Sequence, residues 1–184
     1  IWIEQFGTDR LDFGSSVAVD DAGVIYVAGS TRGSLGGENA GDSDAFVRAF
    51  DQQGRELWTS QFGTSGYDAL GGVAVGDDGS VYAAGYAEGS LGGVSAGRDG
   101  GFVRAFGREG DEVWTFQSDT RGDGVLGGVA VDVDESGVIY TVETTVDSLG
   151  AETSDQWDVV VRALDHRGRV TWTHHFGADN PTVI

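Results

Sequence analysis

The sequence has no cysteine and no methionine, carries a single proline, and contains no lysine among its eleven basic residues. Without cysteine there is no disulfide framework, no thiolate metal site and no thiol nucleophile. Without methionine, and beginning at Ile1, the chain is expected to be a processed product or a piece of a longer protein. No apolar run approaches the ~18 residues of a membrane span, and no signal peptide opens the chain, so a soluble segment is expected. Helical periodicity is missing throughout.

What fills the space left by lysine is acid. Thirty Asp and Glu stand against eleven Arg, a net charge of -19, and aromatics make up 10% of the chain. Such a charge repels the phosphates of nucleic acid. A disordered acidic tail would concentrate its charge and lack aromatics, whereas these carboxylates are dispersed. Dispersed carboxylates without lysine are the expected surface of a protein from a salt-loving microbe.

The chain repeats itself. "GSLGGENAGDSDAFVRAF" from Gly33 returns at Gly89 as "GSLGGVSAGRDGGFVRAF". Trp2, Trp58, Trp114 and Trp172 follow at spacings of 56, 56 and 58, and residues 2–57 and 58–113 agree without gaps at 28 of 56 positions. The repeats are therefore 2–57, 58–113 and 114–171, with the start of a fourth at 172–184, all within a single segment, 1–184. Each unit reads as four short strands with turn signals between them. In the second, these are "LWTSQF" (57–62), "GGVAV" (71–75), "SVYAAGY" (80–86) and "GFVRAF" (101–106), with an Asp-Gly hairpin signal at "GDDG".

Tandem four-stranded antiparallel units of this length predict an all-β fold, a β-propeller of three blades plus one extra outer strand. The blades are expected near 14–63, 70–119 and 126–177, with residues 1–7 as the outer strand of a preceding blade. Small residues in "GGVAV" suit the crowded inner position, and the tryptophan strand suits the wide outer one. The glycine loop must reverse direction at the same place in each blade, and its glycines are expected to supply positive φ. In order, the landmarks "W…QFGT…D…GGVAV…DG.VY.AG…GSLGG…AG…FVRAF…G…W" resemble the SBBP repeat, a bacterial and archaeal β-propeller repeat of extracellular and surface proteins. The resemblance implies architecture and an extracellular or cell-surface or virion-surface location, and it carries no catalytic residues. The third unit departs from the pattern, with Glu143 where the others have Gly29 and Gly85. Propellers have 4–8 blades. Further blades, or other copies of the chain or a protein partner, are therefore expected to complete the ring.

Candidate sites are few. "DVDESGVIYTVE", Asp132 to Glu143, fits the spacing of a calcium loop, but the flanks are strands rather than helices. Ser136 and Glu143 would stand ~23 Å apart along a strand. A smaller calcium site of Asp132, Asp134 and Ser136 in the hairpin turn is the reduced expectation, against a solvated acidic turn. Arg48, Arg104 and Arg162 recur in the third strand on one face with Phe46 and Phe50. There they are expected to pack their stems on aromatics and pair with carboxylates rather than ring an anion. Asp12 and Asp68 precede the inner strands and are expected to cap loops.

His174 and His175 are weak evidence for zinc without spaced acidic partners, and His166 completes the chain's histidines. No "GxSxG" elbow is present, "GSLGG" lacks the lysine and helix of a phosphate loop, and Arg121-Gly122-Asp123 is an adhesion tripeptide of chance frequency. The reading is a non-enzymatic scaffold or adhesion module of a secreted or surface-exposed protein from a halophilic microbe or its virus. It has no cofactor beyond that calcium and no nucleic-acid or membrane partner, and its loops form the working rim. The alternatives are a carbohydrate-binding module, with Trp157 as ligand-stacking platform, and an enzyme whose site lies in other blades.

Overall fold

The computed structural model describes residues 1–92, 99–118, 130–145 and 158–176. Among them are twelve strands and no helix long and apolar enough to cross a membrane. The first sheet joins β1 (Asp12–Val19), β2 (Ile25–Thr31), β3 (Asp44–Phe50) and β4 (Glu56–Phe62) in chain order, every pair antiparallel. The second joins β5 (Asp68–Val75), β6 (Val81–Glu88), β7 (Asp99–Phe106) and β8 (Glu112–Gln117) in the same way. The third joins β9 (Ala130–Val133), β10 (Ile139–Thr145), β11 (Asp158–Leu164) and β12 (Val170–Phe176). These are the four-stranded blades the repeat predicts, in an incomplete β-propeller.

Neighbouring blades stack face to face. β5 packs on β1, β2 and β3, and β9 packs on β5 and β6. The inner strands come very close: a Cβ at Gly72 would stand 3.2 Å from the backbone nitrogen of Val131. That approach explains the small residues of "GGVAV". Leu70, Val73, Val81, Ala83, Phe102 and Phe106 of the second blade form one core with Tyr26, Ala28, Val47 and Ala49 of the first. β3, between residues 1–7 and the second blade, is buried along its whole length.

A bulge between Gly14 and Ser16 in β1, and another between Leu70 and Gly72 in β5, press the inner strand onto β2 and β6. A Cβ at Gly29 or Gly85 would collide with the carbonyl oxygen of Phe13 or Ala69. In the third blade Glu143 occupies that position, and the described β9–β10 ladder ends one residue earlier, at Ala130 opposite Val142.

The glycine loops correct one expectation. In the first blade none of Gly33, Gly36, Gly37 and Gly41 has a positive φ, whereas among the described residues of the second loop Gly89 and Gly92 do. Gly36 and Gly41 are glycine because nothing larger fits. A Cβ would stand 2.2 Å from the Thr59 side chain at the first and 2.4 Å from the Ser65 backbone at the second. Close approach, rather than turn geometry, fixes the repeated loop there.

Candidate functional site

The repeated polar residues converge on the joints between blades. The Arg48 guanidinium lies 4.5 Å from the centre of the Phe6 ring. It donates to the Thr59 hydroxyl (2.7 Å) and the Leu35 carbonyl (3.1 Å), and pairs with Glu56 at 3.5 Å. Arg104 repeats this on Phe62 (4.1 Å), Thr115 (2.8 Å), the Leu91 carbonyl (3.0 Å) and Glu112 (3.2 Å). Burial draws the Arg104 pKa downward and Glu112 opposes it. Phe6 packs against Phe46 and Phe50, and Phe62 against Phe102 and Phe106. An outer-strand phenylalanine of one blade thus sits in the Phe-x-Arg-x-Phe face of the next. The arginines are structural pairs, as the alternation predicts.

Arg162 reaches the same end differently. Its unit has Val170 in place of Glu56 and Glu112, and Ser118 in place of Phe6 and Phe62. Its guanidinium pairs instead with the buried carboxylate of Glu143 on the neighbouring strand β10.

Trp58 and Trp114 each span two blades. Trp58 Nε1 donates to the Arg108 carbonyl (2.9 Å) in the β7–β8 turn, and Trp114 Nε1 to the His166 carbonyl (3.0 Å) in the β11–β12 turn. Trp2 does the same to Gln52 (2.9 Å). Residues 1–7 therefore stand where an outer strand of a preceding blade would stand. Each indole lies over the glycine of the turn it reaches. A Cβ at Gly54, Gly110 or Gly168 would come within 2.8 Å of it, and these glycines hold φ near +80°. On its own blade each tryptophan meets a tyrosine: Tyr26 with Trp58, Tyr82 with Trp114 and Tyr140 with Trp172, at 6.0, 6.1 and 6.2 Å. Three residues further along, Gln61 and Gln117 grip the glycine loop of their own blade. Gln61 accepts from Leu35 N and donates to the Gly33 carbonyl; Gln117 accepts from Leu91 N and donates to the Gly89 carbonyl. His175 stands at this place in the third blade. Burial, then Arg162 and His174, draw its pKa downward against Asp158.

Asp12 and Asp68 cap the loops that enter β1 and β5. Asp12 accepts from Thr8 N (2.6 Å) and the Thr31 hydroxyl (2.5 Å). Burial would raise its pKa, but the Thr31 and Thr8 bonds together outweigh it and the value falls. Asp68 accepts from Thr64 N (2.6 Å) and the Thr64 hydroxyl, but faces Ala87 where Asp12 faces Thr31. Burial, with Asp44 and Glu88 nearby, pushes Asp68 up to about 6. A Cβ at Gly63 would lie 2.5 Å from Asp44 Oδ1 and 2.9 Å from Asp68 Oδ2, so both buried carboxylates flank this glycine.

Outer tryptophan, capping aspartate, bulged inner strand and glycine loop thus form one recurring joint. Residues 1–36 match the family model of the SBBP beta-propeller repeat. The matched segment runs from Trp2 and the residues before β1 through β1 and β2 into the glycine loop. No curated protein matches the chain.

The calcium candidate has its own geometry. Asp134 Oδ1 accepts from Ser136 N (2.9 Å), the Ser136 hydroxyl (2.6 Å) and Val138 N (3.0 Å), while Oδ2 accepts from the Tyr140 hydroxyl (3.0 Å). These bonds, the Ser136 hydroxyl foremost, hold the Asp134 carboxyl below its usual range. Asp132 lies on β9, paired with Tyr140, and accepts from Val133 N. Both oxygens of Asp134 are engaged in closing the β9–β10 turn, as those of Asp20 are in the β1–β2 turn. Among the described residues no three His, Asp or Glu side chains form a group able to hold a metal. His174 packs on Phe176, with ring centres 4.4 Å apart. Trp157 and Arg121-Gly122-Asp123 lie outside the described residues.

One feature escapes the motif reading. On the loop rim of the first blade is a polar cleft of about 830 Å³, bordered by Thr8, Arg10, Arg32, Ser34, Asn39 and Asp42. The signal for it lies in the alignment: amid shared Thr, Gly and Ser, Arg10 and Arg32 stand where the second unit has Gly66 and Glu88.

Proposed function

We propose that the chain is a non-enzymatic interaction scaffold, part of a secreted or surface-exposed protein of a halophilic microbe or its virus. The observation that carries this reading is the division of labour among side chains. The repeated tryptophans, glutamines, arginines and capping aspartates bind one blade to the next, and the charged residues that change between repeats, such as Arg10 and Arg32, stand on the loop rim. A constant frame with a variable rim is the arrangement of a binding module. The dispersed surplus of carboxylates and the absence of lysine support the halophilic origin.

The faces at either end of the blade stack support docking of further blades, from the same polypeptide or from another copy. Val17 of β1 is 63% exposed, whereas its counterpart Val73 is 7% exposed under the first blade. At the other end Val142, Val159, Trp172 and Phe176 are exposed where Ala28, Ala45 and Ala84 are fully covered. These are the two halves of the joint already seen twice. Multi-angle light scattering of the 184-residue chain tests the reading. Concentration-dependent association, lost in Phe176→Glu, is expected; a strictly monomeric, thermally stable particle at all concentrations defeats it.

A further inference from the structure

Arg10 and Arg32 are neighbours across the edge of the first blade. Arg32 N donates to the Leu11 carbonyl at 2.9 Å, extending the β1–β2 ladder beyond Asp12 and Thr31. Both side chains are exposed and both border the cleft on the loop rim. Among the described residues neither guanidinium has a carboxylate within 4.0 Å, although Asp9 and Asp42 also stand on the walls. Arg48, Arg55, Arg104, Arg162 and Arg169 are in ion pairs; Arg108 and Arg167, which are not, stand on separate turns, so Arg10 and Arg32 are, among the described residues, the unpaired arginines that adjoin each other. Two adjacent like charges repel, and in a chain with thirty acids their being left together calls for a reason.

The second blade supplies the control. Its corresponding joint keeps the same backbone bond, Glu88 N to the Tyr67 carbonyl at 3.0 Å, and the same Thr64 cap on Asp68. There Gly66 and Glu88 replace the two arginines, and Glu88 Oε2 turns inward to accept from Tyr67 N. The frame therefore folds without either arginine. Their presence in the first blade answers to something other than folding.

We propose that the cleft of Arg10 and Arg32 docks an acidic peptide segment, with two carboxylates on alternate residues each taken by one guanidinium. A guanidinium presents a planar fork that matches a carboxylate in two parallel hydrogen bonds. Alternate side chains of an extended peptide point to the same side, about 7 Å apart, which suits two neighbouring arginines at a strand edge. Ser34 and Asn39 also border the cleft, but the Asn39 amide is already bonded to the Thr31 carbonyl and Gly41 N, so the two guanidinium groups are the contacts the proposal uses. No aromatic ring borders the cleft, so it lacks the stacking platform a saccharide would use. This inference rests on the interaction reading but not on the docking of blades, because association is read by light scattering and the cleft by titration.

Isothermal titration of the 184-residue chain with a capped peptide alternating aspartate and glycine tests the proposal. The asparagine version of the peptide, an oligogalacturonate and sodium sulfate serve as separate arms. Saturable binding of the aspartate peptide alone is expected, weakened at least tenfold in the double variant Arg10→Gly, Arg32→Glu. That variant carries the residues of the second blade, and its thermal midpoint should match that of the parent. The single variant Arg32→Gln should give an intermediate loss. Undiminished binding in the double variant, or no binding of the aspartate peptide, overturns the proposal. So does preferential binding of the oligogalacturonate, which would assign the cleft to an acidic saccharide, or of sulfate, which would make it a small-anion site.

Discussion

Arg104 and Arg162 occupy the same place in consecutive blades, yet their carboxylates come from opposite sides. Arg104 is held by Glu112 from the outer strand β8, a residue 47% exposed at its side chain, while Arg162 is held by Glu143 from β10, only 7% exposed. The third unit has lost the outer glutamate to Val170 and gained an inner one at a position that elsewhere must be glycine. What persists is a neutralised guanidinium at the joint; which strand supplies the charge does not. Asp12 and Asp68 make the complementary point. Here the residue persists and the environment changes: Asp12 keeps the Thr31 bond at a half-buried place, while Asp68 faces Ala87 and lies fully buried beside Asp44 and Glu88.

The largest test of the first contrast is Glu143→Gly, which restores the residue of the other blades but removes the buried carboxylate facing Arg162. Urea unfolding should show a loss of about 3–5 kcal/mol, the usual cost of breaking a buried ion pair. Adding Val170→Glu should recover at least half, because it rebuilds the Glu112 arrangement. No recovery would show that the two arrangements are not equivalent.

Asp68→Asn comes next, and its effect depends on pH. Below the ordinary value of 3.8 the carboxyl is protonated in both folded and unfolded chains, and burial costs nothing extra. Between 3.8 and about 6 the unfolded form ionises first, so stability falls as pH rises and levels off above 6. The asparagine variant should therefore be more stable than the parent by about 2–3 kcal/mol at pH 7.5, with most of that gain gone at pH 4. A gain of equal size at both values would disprove the assignment.

Asp12→Asn should move the other way, losing about 1 kcal/mol at pH 7.5, because an amide cannot accept from both Thr8 and Thr31. If it stabilises the chain as Asp68→Asn does, the Thr8 and Thr31 bonds do not outweigh burial at Asp12. The smallest effect belongs to Glu112→Val, the residue found at 170. Half-exposed and screened by solvent, this carboxylate should contribute only about 0.5–1 kcal/mol, measured in the same unfolding experiment.

Much of this was open to a reader of the sequence. Period-two alternation put Phe46, Arg48 and Phe50 on one face, and the structure places all three against Phe6. The tryptophan spacing located the outer strands β4, β8 and β12; residues 1–7, read as a further outer strand, form no strand but place Trp2 on Gln52 as Trp58 is placed on Arg108. What the alternation does not encode is distance across a joint. Glu143 read as a departure from pattern because its meaning lies in Val170, twenty-seven residues away and on a strand that is not its neighbour. The loop glycines read as turn residues because steric exclusion by a neighbouring strand leaves the same mark in a sequence as a positive φ. Arg10 and Arg32 were passed over because they belong to no motif; they are visible only as exceptions to one.

The bond from Trp58 to Arg108 lies entirely within residues 58–113, although it ties two blades together. The genetic unit is thus out of phase with the folded one and carries both the bolt and its socket. A duplication of 56 residues copies a finished seam along with the strands, so an array of this kind can lengthen without inventing a new interface at each step.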